Sequence, residues 1–196
     1  MTLLPRDFYE QEVTAVARLL LGKRLVRRAA GQLLSGVITE TEAYRGEEDL
    51  ACHAKSGYTP RTAVMYGPAG HAYVYFTYGM HWCLNAVCGA EGVPAAVLLR
   101  SVWPLTGLDE MAKRRGRFAR AQWCNGPAKI CQAFFIDGVQ NSVDMCTTEN
   151  DLWIEDGTEI LPERITASPR VGIQSVPEPW RSIPWRFRTE LEEETE

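Results

Sequence analysis

Apolar residues near the start of the chain recur at helical spacing. Val13, Val16, Ala17, Leu19 and Leu20 share one face of Asp7–Leu21, and Gly22 follows. That pattern predicts a helix with an apolar stripe and a glycine stop. The period then falls to two. Lys23–Arg28 and Gln32–Glu42 read as strands joined at Ala30-Gly31, the second alternating Val37 and Thr39 with Ile38 and Glu40. Periodicity is lost from Gly46 to Gly70, among charges at 47–49 and the breakers Pro60, Gly67, Pro68 and Gly70. A long loop is expected there, and in compact domains such loops often carry function. The run Ala95-Ala96-Val97-Leu98-Leu99 within 93–102 predicts a strand covered on both faces.

Leu105–Arg120 reads as a basic helix or helix plus loop, and Gly126-Pro127 opens a second helix that runs through Ile136. Asp137–Glu163 is acidic and turn-rich, with a short strand at Leu152-Trp153-Ile154. The last segment sets Pro169, Pro177, Pro179 and Pro184 among Trp180, Trp185 and Phe187. It is expected to be irregular and packed down by its aromatics.

The most informative pattern is Tyr73-Val-Tyr-Phe-Thr-Tyr-Gly-Met-His-Trp-Cys-Leu-Asn85. Both halves are rich in residues that favour pleated backbone, and Gly79 supplies a positive φ for the turn between them. Alternation puts Tyr73 and Tyr75 on one face and Val74 and Phe76 on the other. Tyr78 is left at the hairpin tip, where a large ring serves no core.

Composition adds bounds. The 196 residues are 45% hydrophobic and 23% charged, which fits one soluble domain with its own core. We expect that domain over 1–188 and a disordered acidic tail over 189–196. No apolar run approaches the ~18 residues of a membrane helix, and no export signal is visible at the start. A cytoplasmic location is expected, with nucleoid association if the source is bacterial. The six cysteines form no C-x2-C pair and only three histidines are present, so no metal site and no cofactor are expected, and the thiols should be reduced and mostly buried. The net charge of −4 at first disfavours nucleic acid as a partner. Five glutamates lie in the last seven residues, however, and without them 20 acidic and 21 basic side chains remain. Residues 100–132 carry seven basic side chains against Asp109 and Glu110; they could face phosphates or form a solvated helix face.

Chemistry is suggested by Glu40 and Glu42, two apart in a strand and so on one face. They could be a solvent face, or one could sit in a cleft and deprotonate a water. Tyr44 and His53 follow in sequence and Tyr75 comes from the hairpin. Rings around one carboxylate suit a flat, electron-poor heterocycle. Lys129, near a helix N-terminus, could meet a phosphate.

Several stretches together resemble the alkyladenine (3-methyladenine) DNA glycosylases of the mammalian type. They are Val37-Ile-Thr-Glu-Thr-Glu-Ala-Tyr44, Thr59-Pro-Arg61, Tyr73 to Met80, Val97-Leu-Leu-Arg100, Pro104 to Leu108 and Asn125 to Ala133. The likeness runs from about Leu20 to Phe187. It implies an α+β fold: a single mixed domain with a curved antiparallel sheet, a protruding β-hairpin and no helix-hairpin-helix. It also implies a monofunctional enzyme that flips damaged purines out of double-stranded DNA and hydrolyses the N-glycosidic bond with an activated water. By position, Glu42 would be the general base, and Tyr44, His53 and Tyr75 the walls of the base pocket. Tyr78 would intercalate, Asn85 would crowd the guanine amino group, and Arg100 would position the nucleotide. Arg100 and Lys129 are the expected phosphate contacts; a monomer is expected. His81 and the stretch 45–58 depart from the family pattern. Two alternatives remain at this point: a non-catalytic nucleic-acid-binding module and a hydrolase of free nucleosides.

Overall fold

The computed structural model describes residues 2–191. The apolar stretch at the start forms two short helices, α1 (Arg6–Tyr9) and α2 (Val13–Leu19), rather than one. Glu12 makes the break: its carboxylate caps α2 by accepting from the backbone N–H groups of Thr14 and Ala15. Strands β1 (Arg24–Ala29) and β2 (Gln32–Arg45) follow. The long loop contains two 3-10 turns, at His53–Ser56 and Ala63–Tyr66. The hairpin is β3 (Ala72–Thr77) and β4 (His81–Val87), and β5 (Ala95–Thr106) outlasts its predicted end by four residues. The basic stretch contains α3 (Leu108–Arg115), and the second helix is α4 (Pro127–Phe134). Strand β6 (Leu152–Glu155) lies where predicted. The C-terminal segment, expected to be irregular, contributes two three-residue strands, β7 (Thr166–Ser168) and β8 (Arg186–Arg188). Their composition carries no strand signal; β8 is defined by pairing with β2, and β7 by pairing with β8.

All pairings are antiparallel, in the order β3-β4-β5-β2-β1-β6. Strand β1 covers one edge of β2 only as far as Val37, and β8 takes over that edge at Glu40–Glu42. Alternation sorts the side chains cleanly. Ile38, Ala43, Val74, Leu84, Ala86, Val97 and Leu99 enter the main core with α2 and α4. Tyr73, Val87 and Ala96 point the other way, into a smaller cluster with Cys52, Ala54 and Met65 from the loop. One sheet thus separates the fold's main core from a second, ring-rich face.

Thr189, the first residue of the expected tail, is buried and donates its N–H to the Thr39 carbonyl at 3.0 Å. The tail residues 192–196 lie outside the described part. No helix among the described residues is long and apolar enough to cross a membrane.

Five of the six thiols are buried and the sixth, Cys146, is half-buried. Burial pushes all six up, Cys52 and Cys124 to about 12 and Cys146 to about 11. Because the thiolate is the nucleophile, folded protein treated with iodoacetamide should be modified slowly, and first at Cys146. Peptide mapping that finds Cys52 or Cys131 labelled earlier would contradict this burial pattern.

Candidate active site

The second face of the sheet carries the chemistry, and its register explains why. Tyr73 pairs with Asn85, Asn85 with Leu98 and Leu98 with Glu42, so four strands place these residues in one row. Neighbouring strands are ~4.8 Å apart, which makes the row about three spacings wide. Tyr75, two residues along β3, stands beside Tyr73 with ring centroids 5.4 Å apart. The loop folds over this row and adds His53. Rings, loop and the C-terminal segment enclose a cavity of about 340 Å3, bounded among others by Tyr44, His53, Tyr75, Asn85, Arg100 and Val171.

Glu42 is fully buried behind that wall. Its Oε1 accepts from the Val171 backbone N–H at 2.7 Å and its Oε2 from the Tyr44 hydroxyl at 2.8 Å. The Arg100 Nε lies 3.4 Å from Oε1 and donates to the Glu40 carboxylate at 3.1 Å. Glu40 and Glu42 therefore do share a face, and one guanidinium serves both. The register of β2 against β5 slips on either side of Glu40, leaving Thr39 and Arg100 without cross-strand partners. Such bulges bend a strand and re-aim side chains, and this one turns Arg100 toward the two carboxylates. Burial raises the Glu42 carboxyl above its usual value, and Arg100, the Val171 N–H and the Tyr44 hydroxyl pull it back down.

His53 Nδ1 lies 2.9 Å from the Tyr73 hydroxyl, and its ring meets Tyr75 edge-on at 4.5 Å. Burial, helped by Arg61 and Lys55, pushes it down to about 4, so the imidazole is neutral at physiological pH. Asn85 is buried and donates to the Tyr73 carbonyl at 3.0 Å.

Tyr78 is 81% exposed at the hairpin tip, on the cavity rim. Tyr78 and Gly79 both have positive φ, +52° and +67°, and Met80 N–H closes on the Thr77 carbonyl. Two central residues of positive φ are the mark of a type I′ hairpin turn.

A model of the methylpurine-DNA glycosylase family matches residues 7–193. A protein of Methanocella arvoryzae is 44% identical over 188 residues, covering 95% of this chain and 92% of its own length. One of Carboxydothermus hydrogenoformans is 45% identical over 185 residues, 94% of each chain. Both are provisionally named 3-methyladenine DNA glycosylase. This chain belongs to the methylpurine-DNA glycosylase family.

Membership makes the protein a DNA glycosylase, a hydrolase of N-glycosyl bonds whose substrate is DNA, and the non-catalytic reading falls away. The glycosylase brings Tyr44, His53, Tyr75, Asn85 and Arg100 together around one cavity, with Tyr78 at its mouth and Glu42 behind the wall, held by Tyr44 and Arg100. Lys129 stands apart: it lies in the first turn of α4 and its ammonium is bonded to the Asn125 side chain at 2.7 Å. Much of the basic stretch makes contacts within the molecule, while Lys113, Arg117 and Arg120 stay exposed. Lys113 pairs with Glu110, Arg114 donates to the Glu110 carbonyl and lies over Phe135, and Arg120 donates to the Pro104 carbonyl and lies over Trp103. Arg115 is buried against Gln132 and Phe118.

Sequence reasoning missed Tyr73 as a site residue, although its alternation with Tyr75 was the available signal. It also missed Val171, which acts through a backbone N–H that no side-chain pattern reveals, and the buried Asp49–Arg170 pair. No group of three or more His, Cys, Asp or Glu side chains among the described residues is placed to hold a metal ion.

Proposed function

We propose that the glycosylase extrudes a damaged purine from duplex DNA into this cavity and hydrolyses its N-glycosidic bond with a water deprotonated by Glu42, leaving an abasic site. The observation that carries this reading is the arrangement around Glu42. A carboxylate offers about four lone-pair positions. Val171 donates to Oε1, beside which the Arg100 Nε lies as an ion pair, and Tyr44 takes one position on Oε2, which leaves the other Oε2 position for the proton of a water. The same charge stabilises the oxocarbenium character that develops on the sugar.

Extrusion costs a few kcal/mol of unstacking and unpairing, and the Tyr78 ring offsets part of it by filling the vacated stack. The two terminal nitrogens of Arg100, which make no hydrogen bond among the described residues, remain for a nucleotide phosphate. Asn85, fixed against the Tyr73 carbonyl, crowds an exocyclic amino group of guanine. Cationic purines such as 3-methyladenine and 7-methylguanine leave readily and stack well on Tyr44 and Tyr75. Neutral lesions such as hypoxanthine or ethenoadenine require a proton or a hydrogen bond on the leaving base. The neutral His53 supplies at most the hydrogen bond, so they react more slowly.

The test is base release from duplex DNA carrying a single 7-methylguanine or hypoxanthine, with undamaged duplex and the free nucleoside as controls. Lesion-dependent release from duplex is expected; release from the free nucleoside alone rejects the proposal in favour of a nucleoside hydrolase. The pH dependence follows from the burial of Glu42. Because its carboxyl is raised, release rates should fall with decreasing pH at a limb above the ordinary glutamate value of 4.5. Arg100→Gln removes the largest influence that lowers it, so the limb should move to still higher pH. A limb unchanged in that variant would show that Arg100 does not tune the base.

A further inference from the structure

The geometry points to Arg170 as the positioning residue of the site: one buried guanidinium sets both neutral donors that hold Glu42. This inference rests on Glu42 being the base. Arg170 is buried and makes a two-pronged ion pair with Asp49, its Nη2 donating to Oδ1 at 2.9 Å. It also donates to the carbonyls of Ala43 at 2.9 Å and Trp180 at 3.2 Å. It thereby fastens three separate pieces of chain: the last residues of β2, the loop after it and the C-terminal segment.

Both neutral donors to Glu42 are attached to this knot. Val171, whose N–H meets Oε1, is the next residue in the chain, so the hydrogen bonds of Arg170 set where that N–H points. Tyr44, whose hydroxyl meets Oε2, has the Arg170 guanidinium 4.7 Å from its ring centroid. Trp185 takes the same guanidinium at 5.2 Å. Arg170 touches neither Glu42 nor the cavity, and it therefore acts through its neighbours.

Stability alone is a poor reason for this pair. Removing two charges from water can cost more than their attraction returns, and the Arg170 Nε is buried with no hydrogen-bond partner among the described residues. Asp49 is by contrast fully used, accepting also from the Arg45 and Ala51 N–H groups. A lysine could keep the charge but has neither the fork for Asp49 nor a flat face for Tyr44.

The charged and titratable groups around Glu42 are Arg100 on β5, Tyr44 and Glu40 on β2, and Arg186 of β8 beyond Glu40. Arg170→Lys changes the identity of none of them, so a change in the acid limb reports a loss of geometry. We expect Arg170→Lys to bind lesion duplex within threefold of wild type. Its single-turnover rate of base release at saturating enzyme should fall at least tenfold, and its acid limb should move to higher pH because the Val171 and Tyr44 donors loosen. Rates are read on duplex-bound enzyme with folded protein kept in excess over DNA, so a smaller folded fraction leaves the rate untouched. Arg170→Met with Asp49→Leu, which removes both charges, should show the same loss of rate without a buried unpaired charge. Glu42→Gln is measured alongside. If that variant is inactive while either Arg170 variant releases base at the wild-type rate with an unmoved limb, this inference alone is overturned. If Glu42→Gln retains the wild-type rate, the proposed base and this inference fail together.

Discussion

Glu42→Gln should bind a lesion-containing duplex as wild type does and release almost no base. The amide matches the carboxylate in shape, so the row Tyr73–Asn85–Leu98–Glu42 is not disturbed. It removes both things the carboxylate supplies. A neutral amide cannot take a proton from water, and general-base catalysis contributes ~10²–10⁴-fold. Nor can it face the developing sugar cation with a full negative charge, an effect of comparable size in enzymes that place a charge at the reacting centre. The expected loss is therefore about 10³-fold or more in single-turnover rate, with duplex affinity changed little because Glu42 is buried away from the surface. Gel-shift and base-release measurements on the same preparation separate the two quantities. A variant that retains a tenth of wild-type activity would remove Glu42 as the base.

Tyr78→Gly should separate stability from function in the opposite sense. A non-glycine residue with φ of +52° is strained, by ~1–2 kcal/mol on the cost of the left-handed region. Glycine relieves that strain but loses more conformational entropy on folding, by ~0.5–1 kcal/mol, so the thermal midpoint should stay level or rise. The ring itself packs on nothing that would be missed, since it is 81% exposed. Stacking of a base on an aromatic side chain is worth ~1–3 kcal/mol, so lesion-duplex affinity should drop roughly five- to 150-fold. Wild-type affinity in the glycine variant would deny the tip ring any part in holding the DNA open. Strain kept where a glycine would fit is itself a sign that the tip is retained for use.

How much of this was legible beforehand varies with the physical origin of each feature. The hairpin and the pairs Glu40/Glu42 and Tyr73/Tyr75 were readable because a strand's two-residue period fixes which side chains share a face. The resemblance added Asn85 and Arg100, which no periodicity would have brought to one cavity. The break between α1 and α2 was hidden because the apolar stripe continues past Glu12, and only the capping carboxylate interrupts the helix. Strands β7 and β8 were hidden because three-residue strands among prolines are made by their partner and not by their own composition. The role of the basic stretch is not legible in the sequence for a related reason. Charge counting cannot tell a guanidinium facing solvent from one lying over Phe135 or Trp103. Arg170 and Val171 sit in a segment whose sequence offers only prolines and tryptophans as landmarks, and their importance depends on where that segment comes to rest.

The burial of the cysteines acquires a meaning once the proposed substrates are considered. Electrophiles that methylate purine nitrogens also attack thiolates, which are softer and more reactive. A repair enzyme works while such reagents are present, and each of its cysteines is a competing target. With all six thiols pushed up by burial, and five of them buried, little thiolate is offered to the reagent. The protein is thereby shielded from the damage that creates its own work.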